Sequence, residues 1–154
     1  MQIAMKRALK QNVVFGAFLA PSGVTTALFL TIGANDGDDY KLFFIYLIFA
    51  SLAIFLTGFI FRPLIRIKGG FTYLSAVFVG LICGVLSHPV CWTLTAIFYN
   101  KIRDFGSEID AILTLSIISI VYWSWITAIY SIIVALLFTR SLLKNERSNG
   151  DDSG

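Results

Sequence analysis

The chain has 154 residues, of which 57% are hydrophobic and 14% charged, where a soluble domain carries roughly 25% charged residues. With a mean hydropathy of +0.81, that composition excludes an ordinary water-soluble globule. The net charge of +3 is then no nucleic-acid signal; it reflects where Lys and Arg sit relative to a bilayer.

Residues 1–11 form a basic segment with Lys6, Arg7 and Lys10 and no acid. Apolar run one follows, over residues 12–33. A cleaved signal peptide shares this layout, but its apolar core is about 7–15 residues long. Cleavage after Ala34 would also put Ile32 where a small residue is needed, so the run reads as a membrane span. Gly16, Ala20, Gly23 and Ala27 give it a partial small face, and Pro21 falls near its middle. The loop Asn35-Asp36-Gly37-Asp38-Asp39 is acidic and turn-prone. Its aspartates lack the twelve-residue spacing and terminal glutamate of an EF-hand, so it reads as a solvated connection.

Run two, residues 41–61, has about the length needed to cross a hydrocarbon core of roughly 30 Å. A basic loop with Arg62, Arg66 and Lys68 follows, bounded by Pro63 and by Gly69-Gly70. Run three, residues 73–99, holds the sole histidine, His88, both cysteines, Cys83 and Cys91, and Pro89. Residues four apart lie on one side of a helix. Ala76, Gly80, Gly84, His88, Trp92 and Ala96 therefore make a row of mostly small residues. Beside it runs a row of Ser75, Val79, Cys83, Ser87, Cys91 and Thr95, and Phe78, Ile82, Leu86, Val90, Leu94 and Phe98 make a greasy one. Helices in lipid associate through small residues that let their backbones approach, so Gly80, Gly84 and Ala76 read as a packing face. It serves either another helix of the same bundle or a second copy of the chain. The lesser face on run one makes runs one and three expected neighbours.

Residues 100–110 read as a mixed loop, and run four covers residues 111–139, longer than a perpendicular crossing needs. Tyr122-Trp123-x-Trp125 falls near its centre, although tryptophan usually anchors at the interface. An indole N–H at that depth needs a partner, and His88 is a candidate acceptor for Trp123 or Trp125. The tail, residues 140–154, starts basic and reads as disordered at its end. Runs one and three also share a faint echo, Gly16-x4-Pro21-x3-Thr25 against Gly84-x4-Pro89-x3-Thr93. A duplicated two-helix unit would produce it, and paired interrupted helices can mark a transport site.

Lys and Arg number three before run one, one at the junction of runs one and two (Lys41, the first residue of run two), three between two and three, two between three and four, and three after run four. Rich and poor segments alternate. The positive-inside bias then gives an all-α bundle of four spans with both termini cytoplasmic. Compactness points to a bacterial inner membrane.

His88 and Cys91, at i and i+3, could face one metal ion with Ser87 beside them, but two ligands are too few. Cys83 lies about 140° round the helix from His88. The plainer reading is a neutral His88 hydrogen-bonded to a neighbouring Ser, Thr or Tyr, or to the Val85 carbonyl that Pro89 frees. Pro21 and Pro89 are expected kinks. The sequence shows no His-Glu-x-x-His, Gly-x-Ser-x-Gly or P-loop motif, and acids and bases stay out of the run interiors, which disfavours an ion-coupled pump. The expectation is a non-catalytic protein acting by helix contact: an accessory subunit, assembly factor or immunity-type protein. Its partners would be the bilayer and a membrane protein or a second copy, not nucleic acid. The alternative is a transport or metal- or cofactor-binding protein centred on His88 and Cys91. A thiol enzyme using Cys83 or Cys91 ranks third. No cofactor is specified.

Overall fold

The computed structural model of the chain describes residues 2–24, 27, 40–65, 72–99 and 105–151. The aspartate loop, Thr25, Gly69-Gly70 and residues 100–104 lie outside them. Among the described residues the fold is all helical, with no strand. Helix α1 (Gln2–Leu19) runs into a 3-10 turn, Ala20–Ser22; α2 (Tyr40–Phe61) is closed by a second, Arg62–Leu64; α3 is Thr72–Tyr99 and α4 is Phe105–Asp151. Among the described residues three stretches are long and apolar enough to cross a membrane: Phe44–Leu64, Thr72–Ile97 and Ile112–Lys144. A helix satisfies its own backbone polar groups, which is the condition for crossing lipid.

The two prolines act differently. Pro21 lacks an N–H and its ring clashes with the preceding turn. There α1 stops and the chain tightens into the 3-10 turn, with the Ser22 hydroxyl donating to the Leu19 carbonyl at 2.9 Å. Pro89 sits inside α3, which continues through it. The echo in sequence is therefore not an echo in shape.

Helix α4 departs from the sequence reading at both ends. It begins at Phe105, within the segment read as a mixed loop, and continues to Asp151, through the stretch read as a disordered tail. No proline follows Pro89, and Leu142, Leu143 and Lys144 are good helix formers. At 47 residues the helix is roughly 70 Å long, more than twice the thickness of the hydrocarbon core.

The most extensive pairing is α3 on α4, followed by α2 on α3 and α1 on α2, with a smaller contact between α1 and α4. Small residues set the first of these. A Cβ on Gly80 would stand 2.6 Å from Ile132 Cα and 2.8 Å from the Ser131 carbonyl oxygen, and a Cβ on Gly84 would strike the backbone of Ala128. The facing row on α4 is Thr127, Ser131, Ala135 and Thr139 at intervals of four, every one of them buried. The small face of α1 meets α2: a Cβ on Gly16 would lie 2.8 Å from the Phe55 carbonyl oxygen, and one on Gly23 would run into Ser51, while Gly23 also borders Ser87, His88 and Cys91 of α3. Gly58 of α2 answers Gly16 at that crossing. Ala20 is half-buried in the turn. The main core then closes with Phe15 and Leu19 of α1, Ile54 of α2, Ala76, Val79 and Cys83 of α3, and Ala135 of α4.

Leucine at Gly84 or Gly80 must push α4 off α3. Overpacking of this kind costs about 1–3 kcal/mol, and here the obstacle is backbone, which cannot move aside. Gly84→Leu should lower the unfolding temperature in detergent well below that of Val121→Leu, a change on an exposed face. Equal melting of the two variants would contradict the packing described.

Candidate functional site

Polar side chains inside a bilayer must find partners within the protein, and the largest such group here surrounds His88. The α3 row that brings Gly84 against α4 also delivers His88, one turn later, between two α4 hydroxyls. His88 is 1% exposed. Its Nδ1 is hydrogen-bonded with Ser119 Oγ, and its Nε2 lies 3.0 Å from Thr127 Oγ1. Thr127 Oγ1 also lies 3.0 Å from the Ser124 carbonyl and 3.2 Å from the Gly84 carbonyl. A hydroxyl has one proton and two lone pairs. The Thr127 proton goes to those carbonyls, so toward the ring Thr127 is an acceptor. His88 Nε2–H donates to it, and Nδ1 accepts from Ser119. The assignment follows from the network, and it yields a closed circuit around one neutral imidazole.

The neighbours of His88 are close-packed. Ser87 donates to the Gly84 carbonyl at 2.9 Å. Ser87, His88 and Cys91 share a recess with Gly23, Ala50 and Ile54 that leaves no space for a water molecule. Cys91 packs against Ala50 and Ala53 of α2, and Cys83 belongs to the main core. Both thiols are buried and free. Among the described residues no three His, Cys, Asp or Glu side chains gather as a metal would require. A metal at His88 would also have to displace Ser119 or Thr127.

Trp125 turns away from this site. Trp125 is 59% exposed, and its Nε1 donates to the Tyr122 carbonyl of its own helix at 2.9 Å. Trp123 is half-buried. Ser119 and Thr127 occupy both ring nitrogens of His88, the role expected of an indole. The signal for them was present in run four, as hydroxyls eight residues apart and the row of small residues continuing from Thr127. The aromatic triplet between them drew attention away from it.

A second polar contact ties the basic end together. Arg62, 8% exposed, donates through Nη2 to Gln11 Oε1 of α1, and its guanidinium lies 5.8 Å from the centre of the Phe138 ring of α4. Cation and ring attract through the ring quadrupole. One arginine at the end of α2 thus joins the early part of α1 to the late part of α4.

Hydroxyls and imidazole turned inward, with bulky apolar side chains outward, define a helical integral membrane protein. No known protein family, curated protein or solved structure matches this chain.

Interhelical hydrogen bonds in membranes are worth about 0.6 kcal/mol on average and up to about 1.7. Replacing His88 by Ala removes two of them and opens a space. His88→Ala and Thr127→Val should both lower resistance to denaturing detergent, by roughly 1–3 kcal/mol for the histidine. The metal content of the purified protein should stay unchanged. A stoichiometric metal that disappears in His88→Ala would refute the closed-circuit description.

Proposed function

We propose that this is a four-span protein of a bacterial inner membrane, with both termini cytoplasmic, that works by helix contact with another membrane protein and not by catalysis. The alternation of Lys- and Arg-rich segments supports the topology. So does the meeting of Gln11, Arg62 and Phe138, in which the middle of α1, the turn that closes α2 and the late part of α4 come together, as that topology requires.

One observation carries the contact function. The small faces are consumed internally, so a partner must dock on the outer surface, and α4 offers an unusual one. Val121, Tyr122, Trp125 and Ile129 are all exposed. Tyr122 stands between Ser119 and Thr127, level with His88 and hence deep in the membrane. Among the described residues its hydroxyl makes no hydrogen bond. A hydroxyl left unpaired in hydrocarbon costs a few kcal/mol, and aromatic residues with polar tips otherwise favour the interface. A partner helix presenting an acceptor opposite Tyr122 would remove that cost and cover Trp125. The alternative centred on His88 and Cys91 has less support, because both ring nitrogens are engaged and the recess beside them has no room for a water.

A photoreactive amino acid at Trp125 should cross-link in native membranes to one defined polypeptide. The same probe at Leu52, exposed on α2, should give lipid adducts only. Tyr122→Phe should weaken the Trp125 cross-link severalfold without altering the melting of the protein. Cross-links to lipid alone at both positions would remove the contact reading.

A further inference from the structure

A cleft of about 240 Å3 opens between α1 and α4, lined by Val14, Phe18, Val134, Leu137, Phe138 and Ser141. It lies on the opposite part of α4 from the Tyr122 ridge, nearer the basic end, and the proposed contact does not use it. We propose that this cleft binds an anionic glycerophospholipid of the leaflet at the basic end, one acyl chain lying in the cleft and the phosphate held at its mouth. The inference rests on the membrane-spanning reading and is independent of any protein partner.

The helical register places charge at one end of the cleft and keeps it from the other. On α1, Phe18, Val14 and Lys10 follow at intervals of four, so the row that lines the cleft runs on into a lysine. On α4, Val134, Leu137, Ser141 and Lys144 fall at i, i+3, i+7 and i+10, again one stripe. The helices are antiparallel here: the Phe15 and Phe138 rings are 5.0 Å apart, and the Tyr130 hydroxyl donates to the Phe18 carbonyl at 3.4 Å. Descending α1 from Phe18 to Lys10 therefore matches ascending α4 from Val134 to Lys144. Both lysines arrive at the same mouth.

Lys10, Lys144 and Arg140 are all exposed, and neither residues 1–11 nor residues 134–145 contain an acid. The wall behind the mouth adds a further cation. Arg62 is buried behind Phe138, and its Nε has no hydrogen-bond partner. An apolar channel that ends in lysines from two helices matches the two halves of an anionic lipid. A zwitterionic lipid would fill the same channel but bring its own cation to the mouth. Basic recesses between spans on the cytoplasmic side are where anionic headgroups are captured.

The test is native mass spectrometry of the full chain in detergent, titrated with phosphatidylglycerol and with phosphatidylcholine of identical acyl chains. Phosphatidylglycerol should bind more tightly, and Lys10→Gln with Lys144→Gln should weaken it by roughly 25-fold, about fivefold per cation removed, while leaving phosphatidylcholine unchanged. Leu137→Trp, which fills the channel, should weaken both lipids. Lys101→Gln, assigned to the opposite side of the membrane, should change neither. Lys10 and Lys144 are exposed, so the double variant should melt like the parent. Equal binding of the two lipids, or a preference for phosphatidylglycerol that survives the double variant, would overturn the proposal. Partner cross-linking from Trp125 does not depend on either result.

Discussion

Where α3 crosses α4, Gly84 lies against the backbone of Ala128, and Gly80 against that of Ser131 and Ile132. In water such a crossing would add to a hydrophobic core. In lipid the hydrophobic drive between helices is nearly absent, because a lipid tail is as apolar as leucine. What remains is close approach, with the van der Waals and polar contacts that it permits. Two glycines on α3 and the row Thr127, Ser131, Ala135 and Thr139 on α4 supply that approach.

The polar chemistry follows from the same closeness. With α3 and α4 this near, the turn after Gly84 carries His88 to within reach of Ser119 and Thr127, and the Gly84 carbonyl itself takes part through Thr127. Each group in the circuit answers another, so a histidine that would be costly in hydrocarbon becomes a latch between two helices. The same packing turns further hydroxyls inward: Ser116, Ser131 and Thr139 are all buried. Outside stays apolar, with Tyr122 as the notable polar group at that depth. The imidazole faces inward as a latch between α3 and α4, whereas the Tyr122 phenol faces outward.

Much of the architecture was legible in the sequence because lipid imposes simple demands. Long uncharged runs had to be helices, and the row Ala76, Gly80, Gly84 had to be a place where another helix comes close. The identity of that other helix was not legible, since one row of small residues does not name its partner. Gly16 and Gly23 resembled the α3 row, yet they meet Phe55 and Ser51 of α2, where Gly58 provides the matching gap. The ends of α4 were missed because hydropathy marks where a helix leaves lipid, not where it stops. The helix runs on past the apolar stretch to Asp151. Pro21 and Pro89 look alike in sequence, yet α1 ends before the one and α3 runs on through the other.

The most direct measurement of the central claim is a cross-link within a single chain. In a Cys83→Ala, Cys91→Ala background, cysteines would be placed at Ala76 and Ala135, both fully buried in one core cluster where α3 meets α4. Oxidation in native membranes should close a disulfide within the monomer, seen as a monomeric mass that no longer takes up a thiol-alkylating tag. A covalent dimer in its place would mean that the small face of α3 meets a second copy. Two thiols that stay reactive under oxidation would mean that the helices do not meet there. Either of those results would contradict the account.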